Sequence, residues 1–214
     1  MINYPNNKNI NNIKISTINR GKSLEDKINS ANKYYLDNNI AVIYKKPTPI
    51  QVVEVLYPKR SQAIITKAFY KLPSTTDYNG LYKGYYIDFE AKQTRSKTSF
   101  PISNIHKHQL DHLLRIKEHG GISFVIIEFV AHNMYYLLDS TKMIKYLRNM
   151  HKKSLPYQWV KDNAILIESN AYISINYIKA IDYLISEDKT DDRKNKSCIK
   201  SEKEKEENKC EKPC

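Results

Sequence analysis

The chain has 214 residues, of which 41% are hydrophobic, and a formal net charge of +12 at pH 7. This length accommodates one sizeable α/β domain and is short for two. The apolar runs are far shorter than the roughly 20 residues that cross a bilayer, and the first ten residues lack the apolar run of a signal peptide, so we expect a soluble, cytoplasmic protein without membrane attachment.

The positive charge is unevenly distributed along the chain. From Glu187 onward nine basic residues balance nine acidic ones, so the excess of positive charge belongs entirely to residues 1–186. A basic globular body indicates a polyanionic partner, most simply nucleic acid. Surface lysines that only keep the protein soluble are the alternative.

The three cysteines all lie in the tail, at positions Cys198, Cys210 and Cys214. Their spacings match no structural zinc site, which favours free thiols.

The two ends of the chain lack apolar periodicity. Residues 1–19 are rich in asparagine and residues 187–214 mix both charges, which predicts a flexible N-terminal arm and a disordered charged tail.

Ser23 is predicted to cap a first helix that runs to about Asn38, because Asp26 follows three residues later and apolar residues recur at helical spacing.

The period then changes to that of β-strands. Three segments are predicted strands: residues 40–44, 51–57 and 62–70. Pro47, Pro49 and Pro58 interrupt them. Because proline cannot donate a hydrogen bond within a sheet, an irregular or projecting ribbon is predicted here instead of a central sheet.

The stretch "TTDYNGLYKGYYIDFEAK", residues 75–92, predicts a hairpin. We place its turn near Asn79-Gly80 and its second strand from about Gly84 to Lys92, because an Asn-Gly pair between strand-like runs is a strong turn signal.

A second amphipathic helix follows, which Ser103 is predicted to cap and Gly120-Gly121 to end. The remaining predicted elements are strands at residues 122–130 and 134–139, a helix from Ser140 to about Met150, a strand around 164–167 and an amphipathic segment at 176–185. This order predicts an α/β fold with a mixed central β-sheet flanked by helices.

Polar residues alternate along the second strand of the hairpin. Period-two alternation places Tyr86, Asp88, Glu90 and Lys92 on one face, and the hairpin can return Asp77 beside Glu90. For "DFEAK" taken alone, a half-exposed strand with a polar outer face is an equally good interpretation.

Two neighbouring carboxylates repel each other unless a cation lies between them, and oxygen ligands suit Mg²⁺, for which Mn²⁺ can substitute. Lys92 beside them could orient or help deprotonate a water, or stabilise the negative charge that develops on a phosphate. These residues therefore form a minimal apparatus for hydrolysing a phosphodiester.

Two levels of resemblance follow from these residues. Asp77, a twelve-residue gap and Glu90-Ala91-Lys92 resemble the Asp…(Asp/Glu)-x-Lys signature of the restriction-endonuclease-like, PD-(D/E)xK, nuclease superfamily. Over about residues 19–186 the chain resembles the RecU family of Holliday junction resolvases. The resemblance is carried by "NRGKSLEDKIN", "IAVIYKKPTPIQVV", "YPKRSQAIITKAFY", "STTDYNGLYKGYYIDFEAKQT", "KTSFP" and "GGISFVIIEF".

The resemblance implies a nuclease domain at residues 20–186 with a restriction-endonuclease-like core. It also implies Asp77, Glu90 and Lys92 as catalytic residues, and Thr75, Asp77, Glu90 and Gln109 as holders of Mg²⁺. From the sequence alone, Gln109 would be a helix-surface glutamine. Glu25 is a possible further acid of the site, although the helix dipole also explains an acid in a first helical turn.

The resemblance also gives the proline-interrupted ribbon a role, as a DNA-binding stalk at about residues 45–73. Basic and aromatic side chains suit phosphates and exposed bases, while a ribbon with so many aromatics could instead pack on its own core. The candidate DNA-binding residues are Lys45, Lys46, Lys59, Arg60, Lys67, Phe69 and Tyr70.

His106, His108 and His112 raise the possibility of a zinc site, because the last two are separated by one helical turn. The sequence provides no acid or cysteine beside them that would complete a closed zinc set, so DNA contact or a plain helix surface is favoured.

The predicted function is a Mg²⁺-dependent, structure-selective endonuclease that cleaves four-way DNA junctions in recombination and repair. Symmetric nicking of a junction requires two active sites related by a twofold axis, and the resemblance implies a homodimer. A recombinase and a branch-migration motor are possible partners. The alternatives are a junction-binding, recombinase-modulating protein that does not cut, and a nuclease of the same superfamily that acts on another DNA substrate.

Overall fold

The computed structural model describes residues 23–59, 62–71, 75–150, 152–170 and 172–187. The predicted N-terminal arm and the tail beyond Glu187 lie outside these residues. The helices are α1 (Leu24–Asp37), α2 (Lys107–Glu118), α3 (Ser140–Met150), α4 (Tyr157–Asn163) and α5 (residues 178–187), with 3₁₀ turns at Ile102–Asn104 and Val130–His132. The strands are β1 (Val42–Lys45), β2 (Ile50–Leu56), β3 (Ile64–Tyr70), β4 (Tyr78–Tyr82), β5 (Tyr85–Thr94), β6 (Ser99–Pro101), β7 (Ile122–Phe129), β8 (Met134–Asp139), β9 (Ser154–Pro156) and β10 (Ile165–Leu166).

A six-stranded sheet organises the domain, in the order β1-β4-β5-β7-β8-β10. The central pair β5 and β7 is parallel, and the other neighbours in this sheet are antiparallel. Between β5 and β7 the chain crosses over through β6 and α2. The predicted mixed α/β sheet is therefore confirmed.

Both faces of the central strands are covered by apolar side chains. Ile87 and Phe89 of β5 belong to a core shared with α1 and α5, whereas Val125 and Ile127 of β7 belong to a second core shared with α2 and α3. All eight residues of β7 are buried. A strand buried on both faces reads as a continuous apolar run, which is why the sequence around residue 125 shows no alternation.

Helix α1 forms as its sequence predicts. The Ser23 hydroxyl accepts from the Asp26 backbone N–H, and the Asp26 carboxylate accepts from the Ser23 backbone, which completes a capping box. Ile28 and Tyr35 face the sheet and are buried. This cap fixes the position of Glu25, which lies in the first helical turn.

The predicted turn at Asn79-Gly80 is wrong. Both residues lie inside β4, and the hairpin turns at Lys83 and Gly84, which have φ angles of 50° and 82°. A two-residue loop with positive φ at both positions matches the twist of the flanking strands. Gly80 is required for a different reason, since a Cβ atom there would lie 2.1 Å from the Val42 carbonyl oxygen of β1.

The predicted cap of the second helix is also wrong. Ser103 lies in a 3₁₀ turn, and α2 starts after His106, whose backbone N–H donates to the Gln109 side chain. Sequence reasoning also missed the short β6–β9 pair and α4, because three-residue strands and a seven-residue helix carry too little periodicity to be recognised.

Strands β2 and β3 form a separate two-stranded sheet, which we call the stalk. Every residue of β3 is exposed, and so is every residue of β2 except the half-buried Val55. The prediction of a projecting ribbon is confirmed for β2 and β3, but it is wrong for the segment at 40–44, which forms β1 of the central sheet beside β4. The alternative that the aromatics of the ribbon pack into a core is excluded for Phe69 and Tyr70, which are 58% and 84% exposed.

None of the helices in the described ranges combines the length and apolar character needed to cross a bilayer.

Candidate active site

The register of the β4–β5 hairpin brings Asp77 to Glu90. Tyr78 pairs with Phe89, and Phe89 pairs in turn with Phe124 of β7. Their rings stack in a row with successive centroids 4.8 Å apart. Because these buried rings lock the register, the residue before Tyr78 lies beside the residue after Phe89.

The Lys92 ammonium bridges the two carboxylates. Its Nζ atom lies 2.5 Å from Glu90 Oε1 and 3.8 Å from Asp77 Oδ2. Glu90 is fully buried, while Asp77 and Lys92 are partly exposed. The sequence prediction that these three side chains converge is confirmed by their positions, and the alternative of a polar strand facing solvent is excluded for Glu90.

Burial and the neighbouring Asp77 carboxylate raise the pKa of Glu90 from its ordinary value of 4.5 to about 8, against the opposing effect of Lys92. Without a cation other than Lys92, the pair of carboxylates therefore binds a proton near neutral pH. A divalent cation placed between them would displace that proton and relieve their repulsion.

Gln109 reaches the site from α2. Its amide nitrogen donates to Glu90 Oε2 at 2.8 Å, and its amide oxygen accepts from the His106 backbone N–H at 2.9 Å. The backbone donor fixes which end of the amide points toward Glu90. Gln109 is buried, so the interpretation of a helix-surface glutamine is wrong, and in this arrangement it orients Glu90.

An open cleft of about 670 Å³ gives access to the site. Thr75, Asp77 and Lys92 line it, together with Glu25 from α1. Glu25 is ion-paired with Lys45 at the cleft, and both side chains are at least one-third exposed. Glu25, the possible further acid, therefore lies at the same cleft. Its charge is balanced by Lys45, which is also a candidate DNA-binding residue.

The residues present fit a hydrated divalent cation. Asp77 and Glu90 supply two neighbouring carboxylates, and Thr75 lines the same cleft as Asp77. Within the described ranges, no three His, Cys, Asp or Glu side chains are grouped closely enough to hold a metal by themselves. Mg²⁺ commonly binds through one or two carboxylates and retains several waters, so this set suits it better than a closed zinc site.

Sequence reasoning missed a second buried carboxylate, Asp88. Its Oδ2 atom lies 2.7 Å from Lys46 Nζ and 3.2 Å from His112 Nε2, and it also accepts from the Tyr86 hydroxyl. The ammonium of Lys46 is thus paired with a buried acid, although Lys46 is partly exposed and lines the cleft. His112 has an acid beside it that the sequence did not reveal, because β5 and α2 meet only in the folded chain.

The candidate DNA-binding residues of the stalk are exposed. Lys59 lies in the turn region, and the Lys67 ammonium lies over the Phe69 ring, 5.8 Å from its centroid. Phe69 and Tyr70 are consecutive in β3 and so point to opposite faces of the ribbon. Arg60 lies outside the described residues.

The raised pKa of Glu90 predicts how the metal-free protein responds to pH. Between about pH 4.5 and 8 the folded state holds a proton that the unfolded state releases, so stability falls as pH rises through this range. Glu90→Gln should flatten the dependence. Urea unfolding in chelator from pH 5 to 9 measures it, and equal slopes for wild type and variant would contradict the prediction.

The fold and the site together define the class. In this mixed sheet, the start of β4 and the neighbouring strand β5 bring Asp77 together with Glu90 and Lys92, as expected for the Asp…(Asp/Glu)-x-Lys signature that the sequence resembles. The chain belongs to the RecU family, because the family model described as Recombination protein U matches residues 19–183.

Individual relatives agree with this assignment. A protein of Oceanobacillus iheyensis named Holliday junction resolvase RecU is 50% identical over 169 residues, which cover 78% of this chain and 86% of the relative. A protein of the same name from Bacillus cereus (strain B4264) is 45% identical over 193 residues, with coverages of 85% and 96%. Among solved structures, Hjc, a Holliday junction resolvase from Archaeoglobus fulgidus, aligns with a TM-score of 0.37 and 7% identity over 65% of this chain and 94% of that chain.

Proposed function

We propose that this protein is a Mg²⁺-dependent endonuclease that cleaves four-way DNA junctions in recombination and repair. The observation that carries the proposal is the convergence of Asp77, Glu90 and Lys92, beside an open cleft that Asp77 and Lys92 line, in a chain of the RecU family. Relatives at 45–50% identity bear the name Holliday junction resolvase. In a protein that only binds DNA, clustered carboxylates beside the binding surface would lower the affinity for DNA because they repel phosphates. This disfavours a role without cleavage.

The residues divide the work of phosphodiester hydrolysis. Asp77 and Glu90 hold the cation, with Thr75 at the cleft wall, and Gln109 keeps the Glu90 carboxylate oriented. The cation, when bound, neutralises the two carboxylates and polarises the phosphate. Lys92, which bridges the two acids in this structure, would orient the attacking water or stabilise charge on the phosphate.

Resolution of a junction requires two nicks at symmetric positions. The described chain presents one such cleft, so two copies related by a twofold axis meet the geometric demand. A homodimer is therefore part of the proposal, and a recombinase and a branch-migration motor are proposed partners.

Incubation with a synthetic four-way junction, a linear duplex and a single-flap substrate tests the proposal. Each substrate is supplied with Mg²⁺ or with chelator, and strand-specific labels report the position of each nick. Paired symmetric nicks in the junction alone, dependent on Mg²⁺, are expected. Cleavage mainly of the flap or the duplex would favour a nuclease with another substrate, and binding without cleavage at any Mg²⁺ or Mn²⁺ concentration would favour a junction-binding protein.

The stalk is expected to select branched DNA. Duplex and junction offer the same phosphates, so the basic body alone cannot distinguish them, whereas a projecting ribbon can enter the splayed strands at a crossover. Stacking contributes roughly 1–3 kcal/mol per base, so Phe69→Ala with Tyr70→Ala should weaken junction binding by about 10-fold or more and duplex binding by less.

Gel-shift titrations at matched salt measure this difference. Tyr172→Ala is a suitable control, because Tyr172 is an exposed tyrosine outside the stalk. Equal losses of affinity for both DNAs in the stalk variant would mean that the stalk is only another DNA-binding surface.

A further inference from the structure

Asp88 is a fully buried acid that the proposed chemistry does not use. Its carboxylate makes four contacts: Thr76 Oγ1 donates to Oδ1, while Lys46 Nζ, the Tyr86 hydroxyl and His112 Nε2 surround Oδ2 at 2.7, 3.0 and 3.2 Å. A buried charge is costly unless it is paired and hydrogen-bonded, and here every contact is to a polar group.

Two of these partners control the backbone that carries Asp77. Thr76 directly precedes Asp77 in the chain. The Lys46 backbone N–H donates to the Asp77 carbonyl at 2.7 Å, and the Lys46 ammonium donates to Thr76 Oγ1 at 2.9 Å. The segment before β4 is therefore held on one side by the end of β1 and on the other by Asp88.

The strand pairing does not itself require this acid. The β4–β5 register is already locked by the Tyr78–Phe89 pair and its stacked rings. Asp77, by contrast, lies just before the first paired residue of β4, where the β4–β5 ladder has ended and the Lys46 backbone N–H holds the Asp77 carbonyl. Asp88, which lies two residues before Glu90 on β5, contacts Thr76 and so holds the segment before β4, where the β4–β5 ladder has ended.

We infer that Asp88 is a positioning residue for the metal site. Through Thr76 and Lys46 it holds the segment that carries Asp77 beside Glu90, where the two carboxylates would bind a shared cation. The inference rests on the proposed function, because it concerns the same metal site. It also gives the partly exposed Lys46 a role in holding the segment that carries Asp77.

Two substitutions at Thr76 provide the sharpest test. Thr76→Val removes the hydroxyl and keeps the shape, whereas Thr76→Ser keeps the hydroxyl. Mn²⁺ binding without DNA is measured by isothermal titration calorimetry, and thermal unfolding is measured in chelator. Loss of groups that orient metal ligands typically weakens metal binding 10- to 100-fold, so Thr76→Val and Asp88→Asn should weaken Mn²⁺ binding by about 10-fold or more, and Thr76→Ser should match wild type.

The junction-cleavage assay gives a second measurement. The Mn²⁺ concentration for half-maximal cleavage should rise in Thr76→Val, and saturating Mn²⁺ should recover most of the rate. Asp37→Asn is the matched control, because Asp37 is an exposed acid ion-paired with Lys33 on α1. It should change neither metal affinity nor cleavage.

The outcomes separate the inference from the proposed function. If wild type binds Mn²⁺ and cleaves junctions, but Thr76→Val and Asp88→Asn keep wild-type Mn²⁺ affinity and only unfold at lower temperature, Asp88 is structural and the inference is overturned alone. If wild type binds no Mn²⁺, the proposed function is overturned and the inference with it.

Discussion

Replacing Glu90 by Gln or Asp77 by Asn is expected to abolish junction cleavage while leaving junction binding intact. Either change removes one of the two carboxylates that would hold the cation under the proposed function, and the loss of a single preorganised electrostatic group already costs about 10²- to 10³-fold in rate. We therefore expect rates at least about 10³-fold below wild type. Binding should persist because the stalk cations Lys59 and Lys67 are untouched.

Single-turnover cleavage and gel shifts in chelator, on the same protein preparations, measure the two properties separately. Gln at position 90 preserves size and can still accept from Gln109, so the variant should fold. Asp37→Asn serves again as the surface-acid control. An equal loss of binding and cleavage would show that the carboxylates organise the DNA-binding surface and not the chemistry alone.

Lys92→Met is expected to lower the cleavage rate by about 10²- to 10³-fold without weakening metal binding. The Lys92 ammonium bridges Asp77 and Glu90 in the absence of a metal, so it competes with a cation and does not ligate one. Its removal should leave Mn²⁺ affinity unchanged or slightly increased, while the attacking water or the phosphate loses its positive neighbour.

Mn²⁺ titration calorimetry and single-turnover rates from pH 6 to 9 distinguish these effects. Lys33→Met is the matched control, because Lys33 pairs with Asp37 on the exposed side of α1. A Lys92→Met protein that cleaves at the wild-type rate across this pH range would remove Lys92 from the mechanism.

Several features could be predicted from neighbouring residues alone. The Ser23–Asp26 capping box, the buried run of β7 and the proline-flanked stalk all appear where local patterns place them. The convergence of the candidate site residues was predictable for the same reason. Glu90 and Lys92 are two residues apart on one strand, and a hairpin of any turn type that keeps the register returns Asp77 to them.

Other features depend on which segments meet in space. Gly80 looks like a turn residue beside Asn79, but its lack of a side chain serves the close approach of β1. His106 became a helix cap because Gln109 turns back to it, which displaced the expected cap at Ser103. Neither the position of the hairpin turn nor the start of α2 is encoded by the short motif that suggested another position, the Asn79-Gly80 pair or Ser103.

The sequence by itself determined the α/β class, the presence of the stalk and the convergence of Asp77, Glu90 and Lys92. The class follows from the order of helices and strands, and the stalk and the convergence follow from patterns within one or two adjacent strands. Only the tertiary structure decided that Glu90 is fully buried and that Gln109 orients it. It also decided that the Lys46 ammonium forms an ion pair with the buried Asp88 carboxylate. These properties arise from contacts between β1, β5 and α2, which are distant in sequence, and burial and charge pairing are set by the segments that come together.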